Sequence, residues 1–439
     1  MSSIIVSFVG KQDPFGRDQG EGSIVSLVKH LCQQQQSIKR VILLFTEDTQ
    51  AGAIDTQTWL TTDLALAPEA IQLVLVDAQL SDDPVNLLLA AQAARSGLEQ
   101  AQLFLDPDDI LEFNASSGTP VMKSSWSILQ AAGYAPRSRV WQVRNPNEMR
   151  SHQDRVHLVD VNILKDEFDL KVIRQQVQDY NYSGALITLQ ETNLNNPVTL
   201  ALLHYGYHRR CLDFDRAFSV IDPLRHQIDG RWIQEITPLR QKNTQALLQE
   251  AYFNAVLRLK AQQYADFLVG LFKLQEQILY FLVKEKLGLD ISGRANDKER
   301  SYGVIQQVDG GKLYAFLRGY VLPRGEKLDL NRGVSRYVFQ AIVEYYQQFA
   351  TIAPLIQDLN VYCDLRNNSV HGFVGVSEIE NEEKLLKNLH QLMKQITRLP
   401  DHNPFDALND GILGSLAPEK FAVIGGGLGD CGRMNDRLG

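Results

Sequence analysis

Along the first 165 residues, short apolar runs alternate with amphipathic segments. The runs are nearly continuous in Val, Ile and Leu, as expected for strands that are buried on both faces of a sheet. Three segments between them, 22–36, 84–101 and 120–134, place apolar residues at helical spacing. The strand candidates are SIIVSFV, KRVILLFT, AIQLVLVD, DILEFNA, SRVWQV and RVHLVDVNIL. The pattern predicts a Rossmann-like α/β domain with a mainly parallel sheet covered by helices.

From about residue 166 the apolar period changes to that of helices, and strand patterns become rare. Long helical patterns cover 167–191, 196–221 and 244–288, and Gly288 has the position of a helix C-cap. Two further helical patterns follow at 331–349 and 378–399. The sequence shows no internal repeat. We therefore predict an α/β domain over 1–165, a helical connector over 166–240 and an all-helical domain over 241–439.

Composition and charge narrow the class of protein. With 439 residues, the chain is too long for one ordinary core, and its net charge of −8 argues against a broad basic surface that coats nucleic acid. A small cationic site remains compatible with that charge. The four cysteines lack a CxxC pair, no signal peptide is evident, and no apolar run reaches 18 residues. We expect a cytoplasmic protein without a membrane span.

Two loops follow predicted strands of the α/β domain and are rich in small residues. The first covers 7–16, and the second covers 114–126 and enters a helix at Pro120. Glycine lets backbone N–H groups approach a ligand, and the helix N-terminus and Lys123 favour phosphate. The same residues also serve as ordinary turns and N-caps, so this alternative stays open. Neither loop is a G-x-G-x-x-G motif, which makes NAD a poor fit.

The stretch CDLRNNSVHGF places Arg366 and His371 five positions apart in the helical C-terminal part. On one α-helix their side chains diverge by about 140°, but a symmetric dimer brings two copies of each into one cleft. In such a cleft His371 is a general acid or base for attack by an RNA 2′-hydroxyl, and Arg366 stabilises phosphoryl charge without a metal. Asn367 either orients the phosphate or caps the helix. The alternative is the polar start of a surface helix.

Two other groupings of histidine are weaker. Arg150 and His157 have nearly the same spacing, but this stretch runs into a predicted strand, and we interpret it as a chance match. His204, His208 and Cys211 lie at i, i+4 and i+7, which is the spacing of a partial zinc site. A fourth ligand is missing nearby, so no metal site is predicted.

The loop motifs bear a specific family resemblance. A first strand followed by G-x-x-D-P, together with N-x-S-x-G-T-P-x-M at 114–122, resembles the CARF domain of effector ribonucleases from type III CRISPR systems. In that family, helices and a C-terminal HEPN domain with R-x4–6-H follow the CARF domain. One departure is the sequence GKQDP of the first loop, where relatives often carry small hydroxyl residues after the glycine.

The resemblance implies a homodimer in which a cyclic tetra- or hexa-adenylate lies across the two-fold axis of paired CARF domains. The ligand needs no further cofactor, and Thr119 is the best candidate for a contact with ribose or phosphate. The implied ligand-binding residues are Gly10, Lys11, Asp13, Asn114, Ser116, Ser117, Gly118, Thr119, Met122 and Lys123. Whether this domain also cleaves its activator stays open.

For the C-terminal domain, the resemblance implies a metal-independent endoribonuclease that acts on single-stranded RNA in antiviral defence, with no role for DNA. Its catalytic residues would be Arg366, His371 and Asn367. Two alternatives remain. One is a ligand sensor whose HEPN domain only dimerises, and the other is a toxin-like ribonuclease without nucleotide control.

Overall fold

The computed structural model describes residues 2–416 except 17–19, 193, 195, 323–324, 332, 364 and 367–374. The chain forms two compact units, Met1–Lys171 and Val172–Gly439. The division of the second unit into a connector and a nuclease domain stays a prediction. No described helix combines the length and the apolar character that crossing a membrane requires.

The first unit is built on one six-stranded sheet with the order β3-β2-β1-β4-β5-β6. The strands β1 to β5 are parallel, and β6 is antiparallel to β5. Their bounds are β1 Ser2–Phe8, β2 Ser37–Phe45, β3 Ile71–Leu75, β4 Ile110–Asn114, β5 Ser138–Val143 and β6 Val156–Val159. The predicted Rossmann-like fold is confirmed, although the last predicted strand was too long because residues 162–164 begin a helix.

Helices cover both faces of this sheet, so alternate residues of β1 enter different cores. Ile4 and Phe8 pack on the face that carries the helices Leu87–Gln102 and Pro120–Ala131. Ile5 packs on the face that carries the helices Ser23–Gln33 and Gln50–Thr62. The helix bounds are α1 Ser23–Gln33, α2 Gln50–Thr62, α3 Ala78–Asp82, α4 Leu87–Gln102 and α5 Pro120–Ala131. The apolar pattern missed α2, whose sequence is largely Thr, Gln and Ala.

The second unit is helical. Its helices are α6 Asn162–Gln178 (which begins in the first unit), α7 Tyr182–Gln190, α8 Pro197–Arg210, α9 Phe214–Ile221, α10 Arg231–Arg240, α11 Thr244–Lys260, α12 Tyr264–Phe281, α13 Lys298–Gln307, α14 Lys312–Gly319, α15 Arg336–Tyr345, α16 Ala353–Asp358, α17 Glu382–Ile396 and α18 Pro404–Ser415. A single turn of π-helix, Leu282–Lys286, extends α12. Gly288 then has a φ of 71°, which confirms the predicted cap.

Three helical patterns that appear continuous in the sequence are each broken by a tight turn. The breaks fall at Tyr180, Leu212 and Gln262, whose φ values of 56°, 60° and 57° lie in the left-handed region. A fourth turn of this kind, at Lys242, separates α10 from α11. The prediction of continuous helices was wrong because the left-handed position, which usually carries Gly, is occupied here by other residues.

These turns share one geometry. In the first turn, the Asn181 N–H reaches the Gln176 carbonyl at 2.8 Å and the Tyr180 N–H reaches the Val177 carbonyl at 2.9 Å, which is a Schellman motif. The Asn181 side chain then accepts a hydrogen bond from the Gly184 N–H and caps α7. Asp213 and Asn243 cap α9 and α11 in the same way. The helical part therefore contains a repeated turn that the sequence pattern did not reveal.

A buried ion pair anchors α8 to α11. Arg209 is 2% exposed, and its guanidinium binds both carboxylate oxygens of Glu250 at 2.9 Å. Its Nη1 also donates to Glu235 at 2.6 Å and to the Tyr205 hydroxyl at 2.9 Å. The guanidinium lies 5.0 Å from the ring centroid of Phe405 on α18. Because two carboxylates and a hydroxyl accept its hydrogen bonds, this charge is compensated inside the core.

Candidate functional site

The two loops predicted to bind ligand leave neighbouring strands at the carboxyl edge of the sheet. The strand order reverses between β1 and β4, since β2 and β3 lie on one side and β5 and β6 on the other. Ser7 near the end of β1 pairs with Asn114 at the end of β4. Open α/β sheets bind ligands outside such a reversal point. The fold therefore brings together the two loops that the sequence identified.

Asp13 holds the first loop in place. It is 7% exposed, and its carboxylate accepts hydrogen bonds from the Gly10 N–H at 3.0 Å and from the Ile24 N–H at 3.3 Å. The Ser117 hydroxyl of the second loop donates to the same carboxylate. Burial raises the pKa of Asp13, and its hydrogen bonds oppose that shift. Asp13 therefore links the two loops and the start of α1.

The backbones of the two loops approach each other at two glycines. A Cβ on Gly10 would lie 2.9 Å from the Gly118 nitrogen and 3.0 Å from the Ser117 Oγ. Gly118 has a φ of 92°, and a Cβ there would lie 2.9 Å from the Met122 Sδ. Neither position has room for a side chain, which explains why glycine stands at both.

Asn114 organises the second loop from a fully buried position. Its Nδ2 donates to the hydroxyl groups of Ser7 and Ser23, each at 3.1 Å, and its Oδ1 accepts from the Ser116 N–H at 3.0 Å. The Ser116 hydroxyl accepts in turn from the Val143 N–H at 2.7 Å. Ser7 and Ser23 were absent from the predicted site. Their only sequence signal is a hydroxyl at a strand end and another at a helix start.

Thr119 is the N-cap of α5, and its hydroxyl donates to the Pro84 carbonyl at 2.7 Å. Its Oγ1 also accepts from the Met122 N–H at 3.5 Å, and Pro120 occupies the first helical position. Met122 is buried at 3% exposure, and its side chain packs against Gly118 of the second loop. These contacts place Thr119 at the junction of the second loop, α5 and the segment that precedes α4.

The remaining predicted ligand residues are more accessible. Lys11 is exposed in the first loop, and Lys123 is half-buried in the first turn of α5. Lys123 supplies positive charge at the N-terminus of α5, where a phosphate is stabilised, and Lys11 adds a second positive charge in the first loop. The site thus consists of two loops joined by buried hydrogen bonds, together with partly exposed loop backbone and two lysine side chains.

The candidate nuclease residue Arg366 lies in a short helical segment that includes residues 360–363, 365 and 366. Its guanidinium lies 4.8 Å from the ring centroid of Phe272 on α12. On the same segment Val361 is 58% exposed and Leu365 is 36% exposed. His371 and Asn367 lie outside the described residues, as does the glycine-rich stretch near the C-terminus.

The weaker groupings of histidine form no compact site. His157 lies in β6, and burial lowers its pKa, whereas Arg150 is exposed after β5. The rings of His204 and His208 are 6.1 Å apart, and Cys211 is exposed at the end of α8. Across the described residues no group of three or more His, Cys, Asp or Glu side chains has the geometry to hold a metal ion.

Comparison with protein families supports the C-terminal interpretation. Residues 236–412 match the family model described as the Cas_Csm6 HEPN domain. This range includes Arg366 and His371. Comparison with curated protein sequences gives no match.

Comparison with solved structures supports the fold of the whole chain. Csm6 of Enterococcus italicus, bound to cyclic hexa-2′-fluoro-hexa-dAMP, matches with a TM-score of 0.63 and 14% sequence identity. The match covers 94% of this chain and 100% of that structure. At this identity the match establishes the fold. Together with the family model, it confirms the resemblance to a CARF–HEPN effector of type III CRISPR systems.

Proposed function

We propose that this protein is a Csm6-like endoribonuclease, which cleaves single-stranded RNA when a cyclic oligoadenylate binds its α/β unit. The observation that carries the proposal is the match of residues 236–412 to the Csm6 HEPN model, within the fold of a Csm6 chain. The proposed setting is type III CRISPR antiviral defence. The negative net charge is consistent with a local RNA site instead of a broad basic surface.

The activator binds at the strand-order reversal, against the loops joined by Asp13 and Ser117. Accessible backbone around Gly10 and Gly118, with Lys11 and Lys123, contacts the phosphates. The similar Csm6 structure holds an analogue of a cyclic hexanucleotide, which favours a cyclic hexa-adenylate over a cyclic tetra-adenylate here. A second copy of the chain completes the ring-shaped site across a two-fold axis.

The nuclease centre is also shared between two copies. Val361 and Leu365 lie one helical turn apart and expose apolar side chains beside Arg366. A partner helix that covers these side chains would bring two Arg366 and two His371 into one cleft. In a dimer the two residues need not converge within one chain, because Arg366 of one copy can act together with His371 of the other.

Within that cleft His371 acts as general acid or base, because imidazole titrates near neutral pH. The RNA 2′-hydroxyl gives its proton to the base and attacks the adjacent phosphorus. The bond between phosphorus and the 5′-oxygen breaks, that oxygen takes a proton from the acid, and a 2′,3′-cyclic phosphate forms. Arg366 stabilises the charge on the phosphoryl oxygens, and Asn367 orients the backbone phosphate. No metal takes part in this reaction. The activator raises the rate only if it binds the competent dimer more tightly than the incompetent one.

The proposal is tested by incubating the protein with labelled single-stranded RNA, EDTA and cyclic tri-, tetra- or hexa-adenylate. We expect cleavage that persists in EDTA, requires one ring size and leaves 2′,3′-cyclic phosphate ends. Equal cleavage without any ring would instead indicate a toxin-like ribonuclease. Ring binding without cleavage would indicate a sensor. Thr119→Ala should raise the concentration of activator needed, and Thr119→Ser, which keeps the hydroxyl, should raise it less.

A further inference from the structure

Arg336, the first residue of α15, binds the helical segment that carries Arg366. Its Nη1 donates to the Asn360 Oδ1 at 2.8 Å and to the Cys363 Sγ at 3.2 Å. Cys363 precedes Arg366 by three positions, and the two residues therefore lie on neighbouring parts of one helix face. Arg336 thus contacts the segment one turn before the candidate catalytic arginine.

The same guanidinium also contacts α12. Arg336 Nη1 donates to the Gln275 Oε1 at 2.5 Å, and the Cys363 thiol donates to that oxygen at 3.0 Å. Gln275 is fully buried, and its Nε2 donates to the Ile356 carbonyl at 2.9 Å and to the Asn360 Oδ1 at 3.1 Å. These bonds fix α12, α15, α16 and the helical segment that carries Arg366 relative to one another. Buried polar groups that are fully hydrogen-bonded specify one arrangement, since any other would leave them unpaired.

The ring of Phe272 contacts two arginines. The Arg366 guanidinium is 4.8 Å from its ring centroid, and the Arg336 guanidinium is 5.4 Å from the same centroid. Phe272 precedes Gln275 by three positions on α12, so ring and amide belong to one face of that helix. The ring therefore provides each of the two cations with a favourable partner.

We propose that Arg336 and Phe272 are positioning residues that orient Arg366 toward the RNA phosphate. This inference rests on the proposed nuclease function. Arg336 acts through the helix and the ring, and the RNA phosphate is contacted by Arg366. In this role Arg336 holds the flexible side chain of Arg366 in its productive geometry. Without this support, ordering that side chain would add to the activation free energy and lower the rate.

The test uses the full-length protein with activator and compares Arg336→Ala with Arg240→Ala. Arg240 is the matched control, because its guanidinium also lies over a ring, that of Phe218, at 4.0 Å within the same unit. We expect Arg336→Ala to lower kcat at least tenfold with KM for RNA within about twofold, since small misplacements of catalytic groups are costly. Arg240→Ala should leave both constants near those of the wild type.

A double-mutant cycle separates positioning from an independent contact. In an Arg366→Ala background, Arg336→Ala should cause no further loss of cleavage, because the residue that it orients is gone. A further loss equal to that seen in the wild-type background, or a large rise in KM, would show that Arg336 acts on RNA by itself and would overturn the inference.

Cys363 offers a second pair of variants in case Arg336→Ala fails to fold. Cys363→Ser keeps a donor and an acceptor for Gln275 and Arg336, and Cys363→Val keeps the volume but removes both. We expect Cys363→Val to lower kcat and Cys363→Ser to retain most of it, with equal melting temperatures. Equal kcat in the two variants would overturn this inference and leave the proposed function standing. A wild-type protein that cleaves no RNA with any ring would overturn the proposed function and this inference with it.

Discussion

The Ser117 hydroxyl donates a hydrogen bond to the Asp13 carboxylate, which joins two loops that are 104 residues apart in the sequence. The same carboxylate accepts from two backbone N–H groups of the first loop and α1. One side chain therefore sets the spacing of both loops at the strand-order reversal. Asp13 and Ser117, which the motif suggests as ligand contacts, bond to each other in the structure, and their contact with a ligand stays a prediction.

The pH dependence of stability tests this role of Asp13. Its pKa is raised by burial, so the folded state holds its proton more tightly than the unfolded state. The free energy by which the wild type is more stable to unfolding than Asp13→Asn should therefore be largest below the ordinary pKa of 3.8. This difference should fall as pH rises through the raised pKa of the folded state. Urea denaturation of both proteins at several pH values measures this difference.

Asp109→Asn is the control for that experiment. Lys39 lowers the pKa of Asp109. The contribution of Asp109 to the free energy of unfolding is therefore complete above its ordinary pKa, and it is lost only as pH falls through the lowered pKa. The difference between wild type and Asp109→Asn should therefore be flat from pH 5 upward. A curve for Asp13→Asn that is equally flat would contradict the assignment of Asp13.

The close approach of the loops predicts the effect of Gly118→Ala. A left-handed φ costs a residue with a Cβ about 1–2 kcal/mol, and contact with Met122 should add about 1–3 kcal/mol. Gly133→Ala is the matched control, since its φ is 80° but no atom lies within 4 Å of the added Cβ. We expect Gly118→Ala to lose more free energy of unfolding and to bind the activator more weakly. Equal losses in the two variants would contradict the tight junction.

The buried pair of Arg209 and Glu250 predicts a large loss of stability in Arg209→Met. Removing the cation leaves Glu250 charged and buried, at a cost of about 3–5 kcal/mol. Arg216→Met is the control, because the side chain of Arg216 is 73% exposed beside Asp213, and such substitutions change stability by about 0.5 kcal/mol or less. Denaturant unfolding of both variants compares the two losses, and similar values would show that α8 is not anchored through Arg209.

Much of the first unit could be predicted from sequence, because its strands are apolar on both sides and its loops contain small residues. The strand-order reversal between β1 and β4 then places Ser7 beside Asn114, which a linear motif does not reveal. The sequence also suggested that Thr119 contacts the ligand directly. That remains a prediction, and the structure adds that its hydroxyl bonds the Pro84 carbonyl.

The helical unit was harder to predict, since the four Schellman turns between its helices have no glycine at the left-handed position. Tyr180 and Leu212 adopt left-handed conformations that the Schellman bonds and the following Asn181 and Asp213 caps stabilise together. The contribution of Arg336 was likewise hidden, because its partners are Gln275 and a helix that begins more than twenty residues later in the chain. Such contacts depend on tertiary packing and leave no periodic signal.

The central claim is tested most directly by His371→Ala, with cleavage of single-stranded RNA and activator affinity measured on the same preparation. General acid–base catalysis contributes about 10²- to 10⁴-fold, so cleavage in the presence of activator and EDTA should fall by at least about 100-fold. The affinity for the cyclic oligoadenylate should equal that of the wild type, because the proposed activator site lies in the α/β unit. Cleavage at the wild-type rate in His371→Ala would contradict the account.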